Sequence, residues 1–303
     1  MTAQFAAIDV GTNSVNLLIT DAEGNEILRE VNVERLGEGL QASGQLSKDA
    51  MARSLDRISA YKKTIDSMGV SLFRVVITAP GRLASNAEDF LDQVRLLVGN
   101  NVLIASGDQE ALYSHRGTTR GRSATDCCLI DIGGGSTEFA RQVNEELVTF
   151  SIPLGAVTLT SKHFTTDPPR PEDLTNAIGE VTDHLDDLIR LRPELAGSDE
   201  FAGVAGTIVT VAAVEIGLMQ FDSSRLQDFV LTREAVEDVF RTLATETLSE
   251  RKLNPGLPSA RADVIVGGCC ILVAIMRRLN LPAITISVRS LLDGVIDELR
   301  SEQ

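Results

Sequence analysis

The sequence predicts an α/β protein made of two halves built on one plan. Three observations carry that expectation. The stretches AAIDVGTNSVNLLIT (residues 6–20) and CLIDIGGGSTEFAR (residues 128–141) match at a single offset of 122 residues, which aligns Ile8 with Ile130, Asp9 with Asp131, Gly11 with Gly133 and Ser14 with Ser136. After each copy, apolar runs of strand length alternate with segments of helical periodicity, the order that builds a sheet flanked by helices. The chain has 303 residues, 43% hydrophobic and 23% charged, which is globular composition and enough length for two domains with a large core.

The first half, residues 1–125, opens with strands expected over 5–10, 15–21 and 26–33, the last two joined by DAEGNE, whose Gly suits a hairpin turn. Ser47 reads as the N-cap of a helix in which Met51, Leu55, Ile58, Tyr61 and Ile65 recur every three or four residues up to Gly69. A β-branched strand over 72–78 follows, then SNAE (85–88) as a capping box opening a helix to Val98, then a strand over 102–105. The polar RGTTRGRSATD before Cys127 marks the boundary, and the second half, residues 126–303, restarts the plan with a strand over 127–132. It continues with a strand over 147–152, a helix from Pro171 to Leu191 and a strand–Gly206–helix unit in FAGVAGTIVTVAAVEIG. A mostly helical stretch from Pro258 to Asn280 and a final strand and helix complete it.

Forty-three acidic against 28 basic residues leave a net charge of -15, which argues against nucleic-acid or anionic-membrane partners. A polyanion would bind only where a cation and a local basic patch reverse the field. The start of the chain has no basic n-region and nowhere do 18 apolar residues follow one another, so neither a signal peptide nor a membrane span is expected, and a cytoplasmic location follows. The four cysteines form two neighbouring pairs, Cys127/Cys128 and Cys269/Cys270, inside apolar segments, and read as buried small hydrophobes. His115, His163 and His184 are scattered singly and suggest no metal cluster or nucleophile–histidine pair.

Each copy of the repeated motif places a carboxylate at the end of a strand, before a Gly-rich turn whose N–H groups can face an anion. Alone, such a unit is an ordinary strand and turn, with the Asp or Ser capping it. Two copies in register suggest turns facing one another across a phosphate-binding cleft, one cradle from each half. Asp9 and Asp131 would then point into one space, where carboxylates suit Mg²⁺, an ion that takes one or two of them together with phosphate oxygens.

The motifs IDVGTNS and IDIGGGSTE, with SGDQEA between them and AGT after them, resemble the exopolyphosphatase and guanosine pentaphosphate phosphohydrolase (Ppx/GppA) family across nearly the whole chain. The resemblance implies two actin-like domains of the sugar kinase/Hsp70 superfamily, ribonuclease H-like in plan, flanking the cleft. It implies that Glu110, in SGDQEA, is the catalytic base and that Arg82 neutralises charge on the reacting phosphoryl group. Thr12, Asn13, Ser14, Arg82, Gly133, Gly134, Gly135, Ser136, Gly206 and Thr207 are implied phosphate contacts. Asp9, Asp131 and Glu138 are implied metal acids for Mg²⁺ or Mn²⁺, and a homodimer is implied as the assembly. The residue types agree with these roles: arginine offers forked donors to phosphate, and a Gly-Asp start puts Glu110 in the first turn of a helix, where the dipole also favours an acid.

The implied activity is Mg²⁺-dependent hydrolysis of the terminal phosphate of inorganic polyphosphate by Glu-activated water. Because the chain ends at Gln303, as in the short two-domain subgroup, short polyphosphate is the expected substrate, with guanosine pentaphosphate as the alternative. Two departures from the family pattern are Pro80-Gly81 beside Arg82 and SVRSLLDG near the end. Arg116, Arg120 and Arg122 follow Glu110 and either guide the outgoing chain or form a solvated loop. A sugar-kinase-like phosphotransferase is disfavoured because IDIGGGSTE and SGDQEA occur together. A non-catalytic binder of polyphosphate or an alarmone is disfavoured because Glu110 is present.

Overall fold

The computed structural model describes residues 4–70, 72–120 and 127–302. It divides into two units, the first made of residues 1–120 and 289–303 and the second of residues 121–288.

In unit 1, strands β1 (Phe5–Val10), β2 (Ser14–Thr20), β3 (Glu26–Val33), β4 (Leu72–Ile77) and β5 (Val102–Ile104) form one sheet in the order β3-β2-β1-β4-β5. The first three strands are antiparallel neighbours, whereas β4 and β5 run parallel to β1. The helices are α1 (Leu40–Ser43), α2 (Lys48–Ser67), α3 (Ala79–Leu83), α4 (Ala87–Val98) and α5 (Gly107–Thr119). Alternation along β1 sends Ala6, Ile8 and Val10 into the core beneath α2 and α4, and Phe5 and Ala7 into a separate core with Tyr113 of α5. Ser47 caps α2 as expected, its side chain accepting from the Ala50 N–H. The expected capping box at Ser85 does not form: Asn86 is the N-cap of α4, and its side-chain amide bonds both the N–H and the carbonyl of Leu46, while Ser85 donates to Gly44.

In unit 2, β6 (Cys127–Ile132), β7 (Thr137–Val143), β8 (Glu146–Ile152), β9 (Glu200–Val204), β10 (Val230–Thr232) and β11 (Ala283–Ile286) form a sheet of order β10-β11-β9-β6-β7-β8. Read from β8 to β11, this repeats the order of unit 1 strand for strand, with β10 added at the edge. Its helices are α6 (Ala156–His163), α7 (Pro171–Leu191), α8 (Pro193–Ala196), α9 (Ala205–Ile216), α10 (Ser223–Leu226), α11 (Arg233–Thr245), α12 (Leu248–Arg251) and α13 (Ile265–Arg278). The sequence reading passes over β7, whose TEFARQV is too polar in its second half to display a strand pattern.

The last helix, α14 (Leu291–Ser301), corrects the division into 1–125 and 126–303. It belongs to unit 1, while the expected boundary at 125/126 lies outside the described residues. Leu291, Leu292, Val295, Ile296 and Leu299 bury one stripe of α14 in the core shared with Phe5, Ala7 and Tyr113. Arg29 donates to both oxygens of buried Asp293 at 3.0 Å, and Arg74 reaches Glu298 at 2.6 Å.

Cys128, Cys269 and Cys270 are buried and Cys127 is half-buried, all as free thiols. Burial pushes the Cys269 thiol up to about 12 and raises Cys128 and Cys270 as well, so none of these three is a thiolate at neutral pH. A thiol-reactive disulfide reagent is expected to titrate at most Cys127 in the native protein, and all four cysteines after unfolding. Labelling of two or more native thiols would contradict the buried positions.

Candidate active site

In both units the residues singled out by sequence gather at the carboxyl ends of the parallel strands, the edge where open α/β sheets bind ligands. The repeated turns are built alike. The Gly11 N–H donates to the Ser14 carbonyl at 2.9 Å, and the Gly133 N–H donates to the Ser136 carbonyl at 3.0 Å. In unit 1, the N–H groups of Glu34 and Arg35 bind the Asn13 carbonyl at 3.1 and 2.9 Å, and that of Gly37 binds the Thr12 carbonyl at 2.8 Å. Gly37 must lack a side chain, because a Cβ there would strike Thr12.

In unit 2, the N–H groups of Ala156 and Val157 bind the carbonyls of Gly133 and Gly134 at 2.9 and 2.8 Å, and a Cβ on Gly155 would strike Gly134. With the carbonyls occupied on one side, the N–H groups of Gly134 and Gly135 have no acceptor among the described residues. Such N–H groups form a concavity suited to an anion. Thr12, Asn13 and Ser136 are buried, and the Thr12 hydroxyl has no partner among the described residues.

Arg82 and Glu110, 28 residues apart, are brought together. Arg82 sits on α3 directly after β4, where Pro80 occupies the first helical turn and Gly81 lies against Ile77 and Ile104. The Pro-Gly departure therefore builds the step that presents Arg82. Its Nη1 donates to the Ala105 carbonyl at 2.8 Å and to Glu110 Oε2 at 2.7 Å. Glu110 lies in the first turn of α5, and Ser106 and Gln109 form a reciprocal capping box at the start of that helix. Glu110 is only 9% exposed, so its carboxylate is held rather than solvated.

The acids are arranged across strands. Asp131 on β6 is the register partner of Glu138 on β7, which in turn is the partner of Ser151 on β8. Glu138 is fully buried, with Ser151 Oγ donating to its Oε1 at 3.0 Å. Directly opposite residues of an antiparallel pair have Cβ atoms about 4.5–5.5 Å apart, so the two carboxylates are neighbours on one face. Asp9 instead faces Asn16 on β2, whose Nδ2 donates to Asp9 Oδ2 at 3.0 Å. Among the described residues no three His, Cys, Asp or Glu side chains converge as a metal cluster. The Asp131–Glu138 pair nonetheless fits Mg²⁺, which completes its shell with water and phosphate oxygens.

Gly206 and Thr207 open α9 directly after β9, with Ala205 at φ 64° turning the chain into the helix. A Cβ on Gly206 would strike the guanidinium of Arg261, so glycine admits that arginine to the helix start. Desolvation lowers the Arg261 pKa, and its side chain has no carboxylate partner among the described residues. Sequence reasoning missed Arg261, which lies 55 residues beyond Gly206 in a stretch without a motif. It also missed Ser151 and Asn16, although Asn16 stands at the same 122-residue offset from Glu138 as Asp9 from Asp131. Arg116 and Arg120 are tied inward, Arg116 to Glu298 at 3.1 Å and Arg120 to the Gly24 and Glu23 carbonyls at 3.1 and 2.7 Å. Arg122 lies outside the described residues.

Turns rich in available N–H groups, a paired acid and a held Arg–Glu couple define a duplicated α/β protein of the phosphate-handling class. The Ppx/GppA phosphatase family model matches residues 19–302, and the chain belongs to that family. It is 29% identical to Exopolyphosphatase 2 of Mycobacterium tuberculosis, over 96% of each chain. It is 30% identical to the guanosine-5'-triphosphate,3'-diphosphate pyrophosphatase of Vibrio cholerae over 97% of this chain but only 59% of that longer protein. The crystal structure of the Aquifex aeolicus Ppx/GppA family member superposes with a TM-score of 0.82 at 28% identity, covering 100% of this chain and 99% of that one.

Proposed function

We propose that the protein is an exopolyphosphatase that hydrolyses the terminal phosphoanhydride bond of inorganic polyphosphate. The observation that carries this reading is the Arg82–Glu110 couple, a buried carboxylate locked at 2.7 Å to a guanidinium at the strand ends. Glu110 takes the proton of the attacking water, whose oxygen forms the new P–O bond while the anhydride P–O bond breaks and its electrons stay on the shortened chain. Phosphoryl transfer has a loose transition state, so positioning and charge neutralisation matter more than base strength. Arg82 is assigned both roles: Nη1 orients Glu110, and its other donors would meet the terminal phosphoryl group. Thr12, Asn13 and Ser14 are the phosphate contacts proposed in unit 1; in unit 2 they are the N–H groups of Gly134, Gly135 and Ser136, the Gly133 N–H being used within the turn, together with Gly206 and Thr207.

Asp131 and Glu138 would hold Mg²⁺, or Mn²⁺ in its place, and the bound ion would supply charge neutralisation on the phosphate oxygens. Guanosine pentaphosphate is the second reading, favoured by the likeness to the Vibrio cholerae protein along 97% of this chain. A cytoplasmic homodimer without nucleic-acid or membrane partners completes the proposal. The net charge of -15 supports the lack of nucleic-acid and anionic-membrane partners, no helix among the described residues is long and apolar enough to cross a membrane, and the homodimer and the cytoplasmic location are carried over as expectations, the homodimer from the family resemblance.

Phosphate release measured side by side on short polyphosphate, long polyphosphate and guanosine pentaphosphate tests the substrate. Polyphosphate is expected to be cleaved faster than guanosine pentaphosphate, with activity lost on chelation by EDTA and restored by Mg²⁺ or Mn²⁺, and the two polyphosphate lengths rank the chain-length preference. Preferential cleavage of guanosine pentaphosphate would replace the first reading by the second, and no release from any of the three would overturn both.

A further inference from the structure

The helix that carries Arg82 is too short to place itself. α3 has five residues, well under the roughly 12–15 that an isolated helix needs to persist, so its direction is set by what holds its two ends. The leading end is fixed on the sheet: the Thr78 N–H donates to the Val10 carbonyl at 3.1 Å, and the Gly81 N–H to the Thr78 carbonyl at 2.9 Å. The trailing end is fixed by Ser85 and Asn86. The N–H and Oγ of Ser85 both donate to the Gly44 carbonyl, at 2.9 and 3.0 Å. Asn86 Oδ1 accepts from the Leu46 N–H at 2.8 Å, and its Nδ2 donates to the Leu46 carbonyl at 3.0 Å. All of these bonds end on the stretch from Gly44 to Leu46, directly before the Ser47 cap of α2. We propose that Asn86 is a positioning residue for the reaction: it anchors the end of α3 to the start of α2, so that Arg82 meets Glu110 and the phosphoryl group in a fixed direction.

The geometry of Asn86 separates this role from helix capping. Asn at an N-cap ordinarily turns its side-chain oxygen onto the free N–H groups of its own helix. Asn86 is the N-cap of α4, yet it makes no side-chain cap bond there. Its amide instead pairs with the Leu46 backbone donor to acceptor and acceptor to donor, as a neighbouring strand would, which needs both groups on one planar end. Leu46 is buried, so losing the amide leaves an N–H and a carbonyl without those partners away from water. Asn86 follows Arg82 by four residues, and the turns between them are closed: the Ala84 N–H donates to the Pro80 carbonyl and the Ala87 N–H to the Ala84 carbonyl, each at 3.2 Å. On the other side, Arg82 Nη1 is shared between the Ala105 carbonyl and Glu110 Oε2, at 2.8 and 2.7 Å. That sharing survives only while the backbone of α3 stays in place, and a displacement of about 1 Å at a reacting group can cost about 10²-fold in rate.

This assignment deepens the proposed hydrolase reading, because it rests on Arg82 as a phosphate contact. A double-mutant cycle in the full chain tests it. Asn86→Ala is expected to lower kcat on tripolyphosphate by at least about tenfold, and by less than about twofold when Arg82→Ala is already present. The melting temperature is expected to fall in both backgrounds, which separates the catalytic effect from the structural one. If Asn86 served packing alone, kcat would fall by the same factor in both backgrounds. That additive result would overturn the proposal, as would a kcat for Asn86→Ala within about twofold of wild type. Circular dichroism establishes that each variant is folded. Where Asn86→Ala does not fold, Asn86→Asp takes its place in the same cycle, since it keeps the acceptor for the Leu46 N–H and loses only the donor. A parallel cycle measures tripolyphosphate binding by calorimetry in EDTA, where no turnover is expected, and it decides where the Arg82→Ala rate is too low to read. There Asn86→Ala is expected to weaken affinity at least about threefold, but only while Arg82 is present. Such coupling without any phosphate release in Mg²⁺ would sink the exopolyphosphatase reading and leave the role of Asn86 standing. Phosphate release with additive effects would do the reverse. A wild-type protein that neither binds nor hydrolyses tripolyphosphate would overturn both.

Discussion

Glu110→Gln is expected to slow phosphate release by about 10²–10⁴-fold, the range a positioned general base contributes, while substrate binding and the fold are retained. Gln keeps the shape of Glu and still offers an oxygen to Arg82 Nη1, which also keeps its 2.8 Å bond to the Ala105 carbonyl. The Ser106–Gln109 capping box that starts α5 is untouched. What Gln cannot do is accept the proton of the attacking water. The decrease should therefore fall on kcat, with KM little changed, the pattern of an interaction made only in the transition state. Single-turnover phosphate release and a thermal melt of the same preparation separate the two effects. Activity within a few-fold of wild type would remove Glu110 from the chemistry and leave Arg82 as a binding residue. A melting temperature lowered by many degrees would instead show that the Arg82–Glu110 pair is chiefly structural.

The repeated motif made much of this arrangement legible in the sequence. Asp9, Gly11 and Ser14 matched Asp131, Gly133 and Ser136 because each set lies on one hairpin, and a hairpin is written in consecutive residues. The approach of Arg82 to Glu110 was not written locally. It depends on β4 and β5 lying side by side and on a short helix after β4, and only tertiary structure brings those ends together. Arg261 was hidden for a similar reason: the signal is the missing side chain of Gly206, which a sequence reads as an ordinary turn. The last helix was misassigned because its periodicity shows that it buries an apolar stripe but not which sheet it covers. The failed capping box at Ser85 shows a tertiary contact overriding a local rule, since Asn86 caps α4 while its side chain is committed to Leu46.

Gly294→Ala is expected to destabilise the protein by about 2–3 kcal/mol, although replacing glycine by alanine inside a helix ordinarily stabilises by about 0.5–1 kcal/mol. The reversal comes from the approach of α14 to α5, which is close enough for backbone to meet backbone. A Cβ on Gly294 would stand 2.6 Å from the carbonyl carbon of Tyr113 and 2.8 Å from its Cα, and one on Gly117 would stand 2.9 Å from the Gly294 nitrogen. Neither obstacle is a side chain that could rotate away, so the helices must separate. Separation would loosen the core of Tyr113, Leu292, Val295 and Ile296 and lengthen the ties from Arg29 to Asp293 and from Arg74 to Glu298. It would also shift α5, the helix that carries Glu110, so kcat is expected to fall along with stability. The control is Gly179→Ala in α7, where a Cβ meets nothing within 4 Å and only the helix-propensity gain applies. At about 2–4 °C per kcal/mol, the two variants should melt on opposite sides of wild type, Gly294→Ala lower by roughly 4–12 °C and Gly179→Ala higher by a few degrees. If Gly294→Ala melts at or above the wild-type temperature, α14 does not lie against α5 in this way, and the brace on the Glu110 helix has to be sought elsewhere in unit 1.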